Sequence, residues 1–320
     1  MNDGATLAGG LAGLAGAAGV VSVGAILRRR PGPYLAAGHA IASPSVSDPL
    51  PGALRTGLGG LTVPVQPGPH GELFLGPGAP QPGRTLRRLV LSPLFARVKR
   101  QGGRLGTDQR VPFRLVVEFA GPNRDGDTLL RAYRMLDQQL RDHASLLSHC
   151  HHGRLVPGAV TVSVAGIVDV RELLAEQRLR YAFAEGTFDD IGSHAAPATL
   201  VPMISEPWSR RFGWDGREPI SAEERHLLHA MVRAAHEDGR TVRIAGLAAG
   251  SRRARKAVWS ELGAAGVDVI ADGDQRMLAR HLRRHPVSQW VPREPLPTRA
   301  VRRTSPRPTA PRTGRRHEPV

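Results

Sequence analysis

Short runs of β-forming residues alternate with longer stretches of helical periodicity from Tyr34 to Ile270, and this alternation constrains the fold of the 320-residue chain more than any other feature. A strand that feeds a helix before the next strand belongs in a parallel sheet, because parallel neighbours need a long crossover between them. The strand candidates are Tyr34–His39, Leu61–Val65, Arg114–Phe119, Ala159–Val164, Arg180–Phe183, Leu200–Ile204, Thr241–Ala245 and Val267–Ile270. Eight of them suit a closed α/β barrel of the TIM type, (β/α)8.

The helices between the strands carry their own punctuation. Thr128–Leu147 repeats Leu129, Ala132, Tyr133, Leu136 and Leu140 near the helical period, with Asp127 or Thr128 placed to cap its first turn. Ser221-Ala-Glu-Glu224 has capping-box spacing and opens a helix to about Asp238, after which Gly239 suits a left-handed cap. Arg253–Ala265 ends at Gly266, and Asp274 is placed to cap a final helix. An apolar content of 41% is enough to bury a core, and with aromatics at 4% that core must rest on Ala, Val and Leu.

The ends differ from this middle. Ala5 to Leu27 contains no charge and is followed by Arg28-Arg29-Arg30. At about 1.5 Å per residue it is long enough to span a bilayer, so residues 1–30 read as a membrane anchor or an export signal. The arginines on its C-terminal side favour a cytoplasmic barrel if it is an anchor; an export signal would place the barrel outside. Residues 31–285 form the barrel, and 286–320 combine Pro, Arg, Ser and Thr in a tail too polar to repay its ordering entropy. The formal charge of +16 is densest in that tail, which reads as a solvated segment; the alternative is an electrostatic contact with anionic lipid or another polyanion, nucleic acid being the least expected of these. Cys150 is the single cysteine, so no intramolecular disulfide exists; His149 to His152 read as a loop with at most adventitious affinity for a soft metal.

Several stretches, in order, resemble a known family. They are Pro49-Leu-Pro-Gly-Ala-Leu54, Gly71-Glu-Leu-Phe-Leu-Gly76, Arg84-Thr-Leu86 with Leu91-Ser-Pro-Leu94, Phe113-Arg-Leu-Val-Val-Glu118 and Pro157-Gly-Ala-Val-Thr-Val162. Pro202-Met-Ile-Ser205, Gly239-Arg-Thr-Val-Arg243, Ala257-Val-Trp259 and Ala265-Gly-Val-Asp-Val-Ile270 follow. The set is similar to the glycerophosphodiester phosphodiesterase and phosphatidylinositol phospholipase C-like barrels, especially the branch of altered inheritance of mitochondria protein 6. The resemblance implies a phosphoric diester hydrolase fold. Its chemistry uses two histidines as acid and base, with carboxylates holding a divalent metal against the phosphate.

Where the family has His-x-His-Asn-Asp-Tyr, this chain has His39-Ala40-Ile41-Ala42-Ser43-Pro44; its Glu-x-Asp falls on Thr62-Val63-Pro64 and its Gly-His-Asp turn on Gly76-Pro77-Gly78. The third carboxylate matches Glu118, without the accompanying Lys. These replacements imply a barrel that has lost metal-dependent turnover while keeping an anion pocket for a phosphate-containing small molecule or phospholipid headgroup. The alternative is a working diesterase with relocated groups.

In barrels of this class the chemistry lies at the C-terminal strand ends, which directs attention to His39, Glu118, Ser163, Ser205, Arg243 and Asp272. The candidate acid/base residues are His39 and His70. Arg243 is the candidate phosphate ligand, Trp208 and Trp214 the candidates for covering a ligand, and Glu118 and Asp272 those for holding Mg²⁺ or Ca²⁺ if the metal site is rebuilt.

Overall fold

The computed structural model describes residues 33–43, 48–120, 125–166, 170–247 and 250–291. The eight principal strands are β1 (Leu35–Ile41), β2 (Leu58–Pro67), β3 (Phe113–Phe119) and β4 (Val160–Ala165), then β5 (Ala182–Gly186), β6 (Met203–Pro207), β7 (Thr241–Ala245) and β8 (Val269–Asp272). Each pairs in parallel with the next, and β1 pairs with both β2 and β8, so the sheet closes on itself. The fold is therefore a TIM-type barrel. β5 begins two residues later than the sequence places it and extends to Gly186, which adds Glu185 to the strand.

Around the sheet lie α1 (Leu50–Thr56), α2 (Ser92–Arg100), α3 (Gly126–Arg141), α4 (Val170–Glu176), α5 (Ala222–Glu237), α6 (Arg252–Ala264) and α7 (Gln275–Arg284). Between β5 and β6 the described chain makes only the short turn Phe188–Asp190. Strand alternation sends one set of side chains outward, and these meet the apolar stripes of the helices. Leu115, Val117 and Phe119 of β3, Ile244 of β7 and Ile270 of β8 join Leu136, Leu228, Val258, Trp259 and Leu278 in one buried cluster. Each such side chain contributes about 1.5–3 kcal/mol by leaving water.

The caps differ from expectation in detail. Asp125, rather than Asp127 or Thr128, caps α3 by accepting from the Thr128 amide at 2.9 Å. That helix stops at Arg141, and the chain then turns into a ribbon of His149–His151 against Arg154–Val156, where a loop was expected, with Cys150 buried. Ser221 accepts from the Glu224 amide at 3.1 Å. The Glu224 carboxylate does not reach back to close the box; it accepts from the Gly213 and Trp214 amides at 2.7 and 3.2 Å and so ties the loop after β6 to α5. Gly239 and Gly266 are left-handed, with φ of 81° at both, where α5 and α6 give way to the next strand.

Among the described residues no helix is long and apolar enough to cross a membrane. Ala5–Leu27, Arg28–Arg30 and residues 292–320 lie outside the described residues.

Candidate functional site

The inward face of the barrel is polar near its C-terminal end, and one side chain organises it. Arg243 of β7 reaches across the lumen past β8 and β1 to Thr62 of β2, donating to the Thr62 hydroxyl at 2.8 Å. Its second terminal nitrogen donates to Ser205 of β6 at 2.6 Å and lies 3.6 Å from the Glu185 carboxylate of β5. Thr62 also hydrogen-bonds His39 Nε2 of β1 at 2.8 Å. Four strands besides β7 are thus tied to one guanidinium, directly or through Thr62. Val116, Phe183 and Met203, each two residues before a mouth residue on its strand, are buried and form the apolar floor below.

Burial pushes Glu185 above the usual carboxylate range; Arg243 and Ser205 oppose that rise, and the charge of Glu118 reinforces it. Glu118 lies on the exposed rim of β3. One Glu185 oxygen and Arg243 Nε are buried without a hydrogen-bond partner, so both retain bonding capacity.

His39 is fully buried. Burial, then the positive charges of Arg243 and Arg114, hold it well below the ordinary imidazole range, so it is neutral at physiological pH. Its free Nδ1 faces the backbone of Gly60, where a Cβ would collide with the ring. The imidazole is therefore wedged between Thr62 and β2 and does not present a proton to the mouth.

A folded pKa below the unfolded value means that the unfolded chain binds more protons, so stability from a neutral buried histidine is complete above about pH 6.5 and is lost as pH falls below it. His281, pushed down to about 4 mainly by burial, acts with the same sign. We expect the His39 C2–H proton resonance to stay unshifted between pH 8 and 5 while unfolding stability declines by up to about 1.4 kcal/mol per pH unit for each such group. A midpoint near 6.5 for His39 would show that its ring is solvated.

The other sequence candidates lie apart from this network. His70 is exposed, with φ of 59°, at the tip of the turn between β2 and the antiparallel segment Leu73–Leu75. Asp272 ends β8, but its carboxylate accepts from the Asp274 amide at 2.8 Å and faces Arg255 of α6 at 3.7 Å. Trp208 is only 2% exposed, stacks on Phe212 with centroids 4.2 Å apart and donates to the Trp214 carbonyl at 2.6 Å. Trp214 donates to the Glu218 carbonyl at 2.6 Å. Both indoles are engaged in holding their own loop. Asp274 caps α7 by accepting from the Met277 amide at 3.0 Å.

Among the described residues the donor set does not fit a hard divalent cation: Glu118 and Glu185 are the carboxylates on the inward face of the mouth, and no group of three His, Cys, Asp or Glu side chains converges. The lumen already holds a cation, the Arg243 guanidinium, beside the buried carboxylate.

Glu185 and Thr62 were missing from the sequence candidates. Glu185 becomes visible if the alternation of β5 is carried two residues past Phe183; nothing local marks Thr62, whose partners are 23 and 181 residues away.

No family model matches the chain, and no curated protein sequence matches it. In structure it is similar to a glycerophosphoryl diester phosphodiesterase from Parabacteroides distasonis, at 10% identity and a TM-score of 0.48, over 81% of this chain and 90% of that one. It also has a likeness to malate synthase from Haloferax volcanii, at 11% identity and a TM-score of 0.28, over 75% of this chain and 54% of the other. At these identities neither likeness extends to the chemistry of a site.

Proposed function

We propose that the chain is a phosphoric diester hydrolase-like barrel that binds a phosphate-containing or lipid-derived anion at its C-terminal mouth and does not turn it over by a metal-assisted route. The observation that carries this reading is the Arg243 guanidinium, fixed by Thr62 and Ser205 with its Nε still unpartnered. A guanidinium so oriented meets a phosphoryl group with little further loss of side-chain freedom. Burial raises Glu185 above the usual carboxylate range, and a second negative charge arriving beside it raises it further, so on binding it takes up a proton and donates to a phosphoryl oxygen instead of repelling it. His39 is locked on Thr62, which withholds its imidazole from acid/base work at a bound phosphate.

The test pairs turnover with binding on the full-length protein. Bis(p-nitrophenyl) phosphate should show no metal-dependent hydrolysis with Mg²⁺ or Ca²⁺ relative to chelator, while glycerol 3-phosphate binds measurably by calorimetry. Arg243→Lys, which keeps the charge and loses the fork, should weaken that binding by about tenfold or more. Metal-dependent turnover that disappears in Glu118→Ala would replace this reading with an active diesterase.

A further inference from the structure

A cavity of about 550 Å³ opens at the opposite, N-terminal end of the barrel, lined in part by Tyr34, Leu54, Leu58, Arg97, Leu105 and Asp108. Its volume falls in the range of small-molecule sites. These residues come from the entry to β1, the end of α1, the start of β2, the last turn of α2 and the segment before β3. We propose that this cavity binds a single-tailed organic anion, a carboxylate or phosphate head on an aliphatic body, with Arg97 as the headgroup ligand.

Three observations combine in this assignment. First, Arg97 is half-buried, its Nε is buried without a hydrogen-bond partner, and no ion pair neutralises it among the described residues. Burial and then the neighbouring charge of Arg100 both disfavour its charged form, so an arriving anion relieves a cost already present. Second, the carboxylate that shares the cavity does not pair with Arg97: Asp108 lies exposed at its edge, with one oxygen accepting from the Tyr34 amide at 2.7 Å. The Tyr34 hydroxyl is likewise engaged, donating to the Gly59 carbonyl at 3.3 Å. Third, Leu54, Leu58 and Leu105 offer an aliphatic stretch of the lining to hydrocarbon. One unpaired cation above an aliphatic floor selects an amphiphile with one negative end, and disfavours both a neutral alcohol and a polyanion.

The site shares no residue with the Arg243 network, so it stands or falls independently of the proposed function. Calorimetric titration of the full-length protein with decanoate, decyl phosphate and decanol tests it. Decanoate or decyl phosphate should bind saturably and raise the melting temperature, the tighter of the two identifying the head, with decanol weaker by about tenfold or more for want of a charge-assisted hydrogen bond. Arg97→Gln should remove that preference while the variant still melts cooperatively, and Arg100→Gln, on an exposed position one helix turn away, should leave it intact. Equal affinity for decanol and decanoate, unchanged decanoate binding in Arg97→Gln, or no saturable binding to the full chain would each overturn the assignment.

Discussion

Arg243→Met should lower the free energy of unfolding by about 3–5 kcal/mol at neutral pH, as removal of one member of a buried charge pair does. The cost comes less from the lost bonds than from what remains. Glu185 stays in the lumen without its nearest positive charge, and Ser205 and Thr62 each lose a donor. The loss should depend on pH in a definite direction. Glu185 is already raised above the usual carboxylate range by burial, and without Arg243 it rises further. Its protonated form is then the one the fold favours, so the variant's deficit is small where the unfolded chain is also protonated and grows as pH rises through and above the carboxylate range. Urea denaturation at pH 5 and pH 7.5 measures this difference. Arg243→Met combined with Glu185→Leu should recover much of the lost stability, because an apolar pair leaves no buried charge. A double variant no more stable than Arg243→Met would mean that the pair is solvated.

Asp268→Ala should cost a comparable amount, about 3–5 kcal/mol, because a fully buried carboxylate there serves three donors. Asp268 lies just before β8 and is wholly inaccessible. One oxygen accepts from His236 Nε2 and from the Val242 amide, each at 2.8 Å; the other accepts from the Trp290 amide at 3.1 Å. The carboxylate therefore joins α5, β7 and the chain beyond α7 at the barrel's N-terminal end. His236 and Trp290 lie face to face, with centroids 4.6 Å apart and planes 1° from parallel, so the indole covers the bonded imidazole. In Asp268→Ala the Val242 amide should exchange with deuterium far faster than in the parent, and the Trp290 emission should shift to the red as its stack loosens. Asp268→Asn retains one acceptor but turns an amine towards a donor, and should lose roughly 1–3 kcal/mol. Equal stability of all three proteins would show that the carboxylate is replaceable by water.

In the sequence Asp268 is marked only as part of a strand candidate, because its three donors lie 22 to 32 residues away. The strands themselves were legible: Thr241–Ala245 matches β7 residue for residue, and the other seven are displaced or extended by a few residues. Their signal is carried by short β-branched runs between glycines and helical stretches, which is information held within ten residues. Caps at Ser221 and Asp274 were legible for the same reason, since a side chain satisfying an amide three residues on needs nothing from the rest of the fold. The capping box failed at Glu224 because a tertiary demand, two open amides at Gly213 and Trp214, outcompeted the local one.

Arg243 could be picked out because a strand-end arginine faces the mouth of any barrel, but its partners could not. By itself the sequence determined the alternation of elements, and with it the parallel sheet and its closure. Closure alone decided that Thr62, Ser205, Glu185 and Arg243, drawn from four strands, share one space. Those contacts span up to 181 residues and depend on which face of each strand turns inward, a choice made by the register of the whole barrel and by no single strand.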